Sequence, residues 1–263
     1  MFLILGLVLG SFYNVCIVRI PNGTFWKEKR SVCQHCNAKV PIFLNIPIFS
    51  WVFLRGKTAC CKKKLSIQYP VVEGLTAIGF AVIYWNFPFL LRIDSSIMFD
   101  SGDLIRFLHA AIFFSILVIC SFIDLEHLII PDVFSLGLVV STPLWVLIHP
   151  ELTWSSALFG ILAGGGILYG VAWLYWLLRK QAGMGMGDVK LLAGMGGWLG
   201  FESVFPIVFY SSVSGSIIGI ILMLVKRRAT MKFEIPFGPF LALGAMLFLF
   251  YGSSLIAFIL GRA

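Results

Sequence analysis

Two aspartates beside long apolar segments are the residues best suited to chemistry. Asp124 follows the apolar stretch that ends at Ile123, and Asp188 follows the glycine-rich stretch Gly183–Gly187. Two carboxyl groups within about 3 Å of each other cannot both ionise, so they share one proton. Such a pair can take a proton from an attacking water and give one to a carbonyl oxygen or a leaving amine. If the fold brings the two residues together, they could hydrolyse a peptide bond.

The same aspartates also fit a structural role. Asp188 could cap the apolar segment that follows it, and Asp132, beside Pro131, could cap another. Spacing alone leaves the catalytic and structural interpretations about equally supported. Gly185 and Gly187 lack a Cβ and permit a close approach of another backbone. We therefore expect an extended substrate peptide to lie against this stretch.

The composition indicates a membrane protein. The 263 residues are 59% hydrophobic and 12% charged, with a mean hydropathy of +0.96, whereas soluble domains carry about a quarter charged residues. A membrane-spanning helix needs about 20 apolar residues. We predict an all-α polytopic membrane protein with about eight transmembrane helices, at residues 2–18, 70–91, 104–123, 131–149, 155–178, 188–200, 203–225 and 237–260.

Two details refine this prediction. The first segment lacks the basic start and the cleavage site of a signal peptide, so we expect it to be retained. The sixth is short and glycine-rich, which is compatible with a tilted or re-entrant element. Glycines four residues apart predict close helix packing at Gly160/Gly164, Gly166/Gly170 and Gly215/Gly219.

The charges predict an orientation. With the N-terminus outside, all but three of the 20 basic residues fall on the cytoplasmic side, the exceptions being Arg92, Arg106 and Arg262. This bias follows the positive-inside rule. It places Asp124 and Asp188 at the same cytoplasmic membrane edge. The +8 net charge then indicates proximity to anionic lipid and not a nucleic-acid partner, because the basic residues are spread over several loops.

Four cysteines between the first two predicted spans suggest a metal site. They are Cys33, Cys36, Cys60 and Cys61. Thiols in a reducing compartment rarely form disulfides, and four of them predict tetrahedral zinc. The alternative is a set of reduced structural cysteines. We expect three parts, namely a first helix at 1–19, a small cytoplasmic cysteine-containing domain at 20–69, and a membrane domain at 70–263.

Four stretches resemble the type IV prepilin peptidases, membrane aspartyl proteases marked by a Gly-x-Gly-Asp motif. They are Leu9–Val15, Ser66–Glu73, Ile123–Asp124 with Ile130–Asp132, and Gly183–Leu192. The resemblance covers almost the whole chain. It implies that Asp124 and Asp188 are the two catalytic aspartates, and that Lys190 belongs to the motif without a role that sequence can assign.

The resemblance also implies substrates, cofactors and a location. The family cleaves a basic leader from type IV prepilins or pseudopilins at the cytoplasmic face of the bacterial inner membrane. Many members then methylate the new N-terminus with S-adenosylmethionine, although the sequence shows no nucleotide-binding motif. Glu126 and Asp132 could attract the basic leader, or could be simple polar loop residues.

One departure from the family concerns the cysteines. The family often has two Cys-x-x-Cys pairs, and here Thr58 stands where the third cysteine would be. Cys60 could replace it after a local shift, whereas His35 is a poor alternative ligand. If methylation depends on this region, the departure weakens the expectation of methyltransferase activity.

Two other classes of function also place acids beside membrane helices. Intramembrane acids also relay protons or bind cations in small transporters, but here they lie at one edge and no inverted repeat is visible. A structural subunit of a secretion machine that has lost activity would not need both aspartates. Proteolysis is therefore the preferred interpretation.

Overall fold

Helices make up most of the chain. The structure is a computed structural model that describes residues 1–27, 32–33, 36, 38–93, 96–149, 151–181, 183–226 and 235–259. A 3-10 turn covers Ile42–Asn45, and a hairpin is formed by β1 (Leu90–Ile93) and β2 (Ser96–Phe99). The helices are α1 (Phe2–Arg19), α2 (Phe49–Phe53), α3 (Gln68–Asn86), α4 (Ser101–His127), α5 (Asp132–Ile148), α6 (Trp154–Arg179), α7 (Met186–Leu199), α8 (Phe201–Lys226) and α9 (Gly238–Ile259).

Each of the eight predicted apolar segments corresponds to one long helix. Four of the helices in the described ranges are long and apolar enough to cross a membrane, namely α1, α4, α6 and α8. Two shorter apolar helices are α5 and the part of α9 up to Gly252. The prediction of a mostly helical membrane protein is therefore confirmed, while eight crossings stay a prediction.

The hairpin departs from the all-α prediction. The second predicted segment reached residue 91, but α3 ends at Asn86. Pro88 lacks a backbone N–H and disfavours a helical conformation at Phe87, so the helix cannot continue. The two strands that follow are antiparallel, with Leu90 opposite Phe99 and Ile93 opposite Ser96.

Some residues used in the charge argument lie outside the described residues. They are Lys29, Arg30, Asp94, Arg227, Arg228, Lys232 and Arg262, and the same holds for His35. The predicted orientation and the proposed domain at residues 20–69 therefore stay predictions.

The chain divides into two compact units, Met1–Ile119 and Cys120–Ala263. In the first unit, α1 packs closely along α3. A Cβ on Gly10 would lie 2.7 Å from the Cα of Glu73. The Asn14 side chain donates a 3.1 Å hydrogen bond from Nδ2 to the Tyr69 carbonyl oxygen. These contacts fix the register of the two helices.

Glu73 also holds the segment that precedes α2. Its side chain is buried, and Oε2 accepts a 2.7 Å hydrogen bond from the Ile48 N–H. Ile48 has φ +59°, an unfavourable conformation for a β-branched residue. The buried carboxylate therefore stabilises a strained turn that lies between the two cysteine pairs, Cys33/Cys36 and Cys60/Cys61.

In the second unit α7 is almost fully buried, and it packs against α5, α6, α8 and α9. Its closest neighbour is α6. A Cβ on Gly160 would lie 2.0 Å from the Gly196 carbonyl oxygen, and one on Gly164 would lie 2.5 Å from that of Leu192. The backbones of α6 and α7 therefore touch, as the glycine spacing predicts.

The other two glycine pairs do not mark such contacts. A Cβ on Gly166 or Gly170 would meet no atom within 4 Å, and one on Gly215 or Gly219 would make only ordinary contacts, at 3.5 and 3.4 Å. Of the three predicted glycine pairs, Gly160/Gly164 is thus the one that marks a close backbone contact between described helices.

A single glycine joins α7 to α8. Gly200 has φ +83°, which L-residues with side chains rarely adopt. The next residue, Phe201, donates its N–H to Ser156 Oγ at 3.1 Å. The chain therefore turns within one residue, and the C-terminal end of α7 is fixed against the start of α6. The opposite end of α7 carries Asp188.

Candidate active site

Asp124 lies in the last turn of α4. The sequence predicted that this helix ends just before Asp124. In the structure it continues to His127. It stops where Leu128 takes φ +56° and donates its N–H to the Asp124 carbonyl oxygen at 2.9 Å. Glu126 was expected in a loop and instead lies in this last turn. The Asp124 side chain is buried, with 5% of the residue exposed.

The Asp124 carboxyl group accepts a hydrogen bond from the backbone of a different helix. The Gly238 N–H, at the first residue of α9, donates to Asp124 Oδ2 at 2.9 Å. A carboxylate oxygen accepts such a hydrogen bond most strongly when it is ionised. The contact therefore orients the carboxyl group and favours a negative charge on it.

Asp188 lies in the first turn of α7. Gly185 is the N-cap residue, and the side chain of Asp188 is 9% exposed. Its Oδ1 is buried, and no group in the described part of the chain donates a hydrogen bond to it. A buried carboxyl oxygen without a partner is unusual in folded proteins and often marks a functional group.

Ile130 links the surroundings of the two aspartates. A Cβ on Gly187 would lie 2.9 Å from Ile130 Cβ, and a Cβ on Gly238 would lie 3.3 Å from Ile130 Cδ1. The glycine next to Asp188 and the glycine bonded to Asp124 therefore both contact one buried side chain. The structure therefore brings the surroundings of Asp124 and Asp188 together at Ile130.

The two motif glycines differ in what surrounds them. Gly187 packs against Ile130, so its lack of a side chain is explained by packing. Gly185 is exposed, and the nearest atom to a Cβ at this position would be Asp188 Oδ2 at 3.5 Å. Gly185 therefore places no side chain beside Asp188 Oδ2, which suits an approaching peptide backbone.

Lys190 and Asp132 form an ion pair next to the site. Lys190 Nζ lies 2.7 Å from Asp132 Oδ1, and the side chains are 33% and 60% exposed. Asp132 is the first residue of α5, so the pair joins the starts of α5 and α7. It gives Lys190 a partner that sequence could not assign. It also means that the Asp132 charge is partly compensated.

An apolar groove of about 510 Å³ lies beside Asp124. It is bordered by the end of α4, by α8 and by the segment that leads into α9. Glu126 is the one acidic residue among its lining residues, and its Oε2 lies 3.9 Å from His127 Nε2. Six of the residues that line the groove are Leu125, Glu126, Leu128, Ile218, Leu222 and Phe240.

The four cysteines come together in the first unit. Their Sγ atoms all lie within 4.8 Å of one another. Two of the separations are 3.8 Å, between Cys33 and Cys61, and 3.2 Å, between Cys36 and Cys60. Tetrahedral zinc with Zn–S bonds of about 2.3 Å needs sulfurs about 3.8 Å apart. The donor set therefore fits zinc, and Cys60 lies where a fourth ligand is needed.

Thr58 contacts this cluster without being a thiol. Its Oγ1 lies 3.1 Å from Cys61 Sγ and accepts the Lys63 N–H, also at 3.1 Å. The hydrogen bond with Thr58 lowers the pKa of the Cys61 thiol. Hydrogen bonds with the neighbouring cysteine sulfurs, foremost that of Cys36, raise the pKa of Cys60 to about 12. Since metal ligands must be deprotonated, zinc binding would displace the Cys60 proton.

Sequence reasoning missed two residues of the aspartate site, Ile130 as a contact and Gly238 as a donor. Ile130 belongs to a stretch that was recognised, but its apolar side chain carried no chemical signal. Gly238 lies in Pro236–Pro239, and the two prolines around Phe237 and Gly238 were the available signal of a special backbone. Nothing in the sequence connects this stretch to Asp124.

Two family models match the chain. Residues 4–87 match the model described as the bacterial peptidase A24 N-terminal domain, and residues 111–220 match that of the type IV leader peptidase family. No solved structure matches the chain.

Three curated relatives are each named prepilin leader peptidase/N-methyltransferase. The protein from Xanthomonas campestris pv. campestris is 33% identical, over 96% of this chain and 91% of the relative. The one from Aeromonas hydrophila is 32% identical, over 95% and 89%. The one from Legionella pneumophila is 32% identical, over 99% and 95%.

Proposed function

The chain belongs to the type IV leader peptidase family, and on this basis we propose that Asp124 and Asp188 are the catalytic dyad of an aspartyl protease that removes the leader peptide of prepilins. The observation that carries the proposal is a pair of buried carboxyl groups, one at the end of α4 and one at the start of α7, whose neighbouring glycines Gly238 and Gly187 both contact Ile130. The transporter alternative has no support from the three relatives described above, each of which is named as a peptidase.

The chemistry follows from one proton shared by two carboxyl groups. The ionised member takes a proton from water as the hydroxide adds to the scissile carbonyl carbon, and the protonated member gives its proton to the carbonyl oxygen. In the second step the first member returns its proton to the amide nitrogen, and the other takes one from the tetrahedral intermediate. The C–N bond breaks, and both carboxyl groups regain their starting states.

The test is cleavage of a leader-bearing pilin-like substrate in membranes by wild type, Asp124→Asn and Asp188→Asn at equal protein levels. Asparagine keeps the size of the side chain but removes the carboxylate. We expect each variant to lose activity by about 10³-fold or more, because the two groups act as a unit. Glu202→Gln is the matched control, since Glu202 is an exposed acid at the start of α8.

Either dyad variant retaining near-wild-type activity would make that residue structural, and Asp132 would then be examined next. If wild type itself cuts no pilin-like substrate, the proteolytic assignment fails.

The membrane arrangement extends this proposal. A member of this family with four long apolar helices is an inner-membrane protein. We propose in addition that all eight long helices cross or enter the bilayer, with the N-terminus outside. The dyad and the cysteine-containing region, residues 20–69, then face the cytoplasm, in accordance with the distribution of basic residues.

We propose that the apolar groove beside Asp124 binds the substrate near the scissile bond. A cationic leader residue would then lie near Glu126, and Gly185 would admit the peptide backbone to Asp188. Asp132 is a weaker candidate for leader binding because Lys190 already pairs with it. The substrates are type IV prepilins or pseudopilins.

The leader charge provides a direct test of Glu126. Substrates with progressively fewer basic leader residues are cleaved by wild type and by Glu126→Gln. We expect the dependence of KM on leader charge to become weaker in the variant, since an exposed ion pair contributes up to about 1 kcal/mol. An unchanged dependence would show that Glu126 is an ordinary polar residue of the helix end.

Two cofactors follow from the proposed function. Zinc would be held by Cys33, Cys36, Cys60 and Cys61 and would crosslink a region with little apolar core. N-methylation of the new N-terminus would use S-adenosylmethionine as the methyl donor, and no residue of this chain is assigned to it. The methylation test is mass spectrometry of the cleaved substrate, in which an added methyl group must depend on the supplied methyl donor.

A further inference from the structure

The start of α9 presents one backbone N–H to the proteolytic site. Gly238 is the first residue of this helix, and its N–H reaches Asp124 Oδ2 at 2.9 Å. Pro239 has no N–H. The next two donors, those of Phe240 and Leu241, both bond to the Phe237 carbonyl oxygen at 3.1 Å. The Gly238 N–H is therefore the group of this helix start that is directed at the carboxyl group.

Glycine is needed at this position because the space is filled. A Cβ on Gly238 would lie 2.8 Å from Asp124 Oδ2 and 3.3 Å from Ile130 Cδ1. The first distance is shorter than normal packing allows, so a side chain would displace the carboxyl group that the N–H holds. The missing Cβ of Gly238 thus leaves room for the Asp124 carboxyl group, and the Gly238 N–H binds that group.

The helix ends around the dyad favour a negative charge to different degrees. Asp124 lies in the last turn of α4, where the helix dipole disfavours a negative charge, and the α9 start opposes this effect. Asp188 lies in the first turn of α7, where the dipole favours a negative charge. However, Asp188 Oδ1 receives no hydrogen bond from the described residues. A direct charge-assisted hydrogen bond stabilises a carboxylate more than a helix dipole alone does. The negative charge is therefore favoured on Asp124.

We propose that Gly238 is a positioning residue of the protease, whose N–H holds Asp124 as the carboxylate that accepts a proton from the attacking water. The proton of the pair then resides on Asp188, which gives it to the carbonyl oxygen of the substrate. Both steps are those of the proposed function, on which this inference rests. The new element is the backbone donor that distinguishes the two aspartates.

The sharpest test removes the N–H without adding any atom to the side chain. Glycolate replaces Gly238 during cell-free synthesis of the full chain into lipid nanodiscs, which converts the amide to an ester. We expect kcat for leader cleavage per folded molecule to fall by about tenfold to a hundredfold, and KM to stay within about twofold. The matched control is glycolate at Gly166, which loses a hydrogen bond within α6 and should retain wild-type kcat.

Gly238→Ala provides a second, independent variant. It keeps the N–H but places a Cβ against the carboxyl group, so kcat should again fall while KM changes little. Gly166→Ala is its control, because a Cβ there would meet no atom within 4 Å. Both Gly238 variants are compared as folded, monodisperse protein.

Two results would overturn the inference. A kcat within about threefold of wild type in the ester protein would show that the N–H contributes little to catalysis. A raised KM with unchanged kcat would show that the N–H binds substrate instead of serving Asp124. Failure of the proposed function has a different signature, in which wild type does not cleave or Asp124→Asn remains active.

Discussion

The aspartate site and the cysteine cluster (Cys33, Cys36, Cys60 and Cys61) position their reactive groups by different means. The aspartates lie at the ends of α4 and α7, and direct packing of helices fixes them through Ile130, Gly187 and Gly238. The cysteines lie in irregular segments. The β-type pairing described there consists of two isolated antiparallel bridges, Val32–Lys39 and Lys57–Lys64. Two of the four, Cys36 and Cys60, are exposed.

The difference shows which part of the chain needs a ligand to be ordered. Helix packing in the second unit provides a rigid frame, so the aspartates need no metal to be held in place. Cys33 is the one buried apolar side chain in the described part of residues 20–69, and a metal would supply the missing crosslinks. Changes to helix packing should therefore impair proteolysis strongly, and changes to the cluster should impair it little.

Among the changes outside the two aspartates, Gly196→Val should have the largest effect on proteolysis. A Cβ at this position would lie 2.2 Å from the Gly160 carbonyl oxygen, so α6 and α7 would have to separate. Overpacking of this kind costs about 1–3 kcal/mol or more. A displacement of Asp188 by about 1 Å can lower activity by about 100-fold. Leader cleavage at equal protein levels measures the loss.

Gly166→Val is the matched control for this prediction, because the space around Gly166 is open. It should keep nearly full activity. Equal activities of the two valine variants would mean that the contact between α6 and α7 does not position Asp188.

Lys190→Ala should have an intermediate effect. The ion pair with Asp132 is partly exposed, and such pairs contribute about 0.2–1 kcal/mol. We expect leader cleavage to fall by at most about fivefold, and the charge-exchanged double variant Lys190→Asp with Asp132→Lys to recover most of the activity. A loss of 100-fold that the exchange fails to restore would place Lys190 in the chemistry itself.

Cys36→Ser should have the smallest effect on proteolysis and a large effect on metal content. We expect leader cleavage within about twofold of wild type, while bound zinc falls from about one ion per chain to a small fraction of that. Elemental analysis of purified protein measures zinc, and the cleavage assay is run on the same sample. A tenfold loss of cleavage would show that the two regions depend on each other.

A double variant that moves the thiol from position 60 to position 58 tests whether Cys60 is a zinc ligand. Thr58→Cys with Cys60→Ala would restore a Cys-x-x-Cys pair, because Thr58 already contacts Cys61 Sγ at 3.1 Å. The double variant should keep bound zinc, whereas Cys60→Ala alone should lose it. Zinc retained in Cys60→Ala would exclude Cys60 as a ligand.

Much of this architecture could be predicted because it depends on local patterns. Apolar runs of the length of a bilayer predicted the eight long helices, and the spacing of Gly160 and Gly164 predicted one close helix contact. The aspartates were found because a carboxylate at the end of an apolar segment is costly. The four cysteines were found because so many thiols in one short region are rare.

What could not be predicted depends on contacts between distant segments. Gly238 lies far along the chain from Asp124, and a backbone N–H has no signature in the sequence. The partner of Lys190 was also hidden, since the lysine and Asp132 belong to separate motifs. The end of α3 at Asn86 was missed for another reason, because apolar residues on both sides of Pro88 masked the break.

The contact between α6 and α7 has a consequence for how this protein can evolve. Membrane helices usually drift by exchanging one aliphatic side chain for another, but Gly160, Gly164 and Gly196 admit no side chain at all. The opposite face of α6 exposes large residues such as Leu158, Leu162 and Trp173, where such exchanges are harmless. Adaptation to bilayers of different thickness or composition should therefore be recorded on one face of α6, while the other face keeps its ancestral residues.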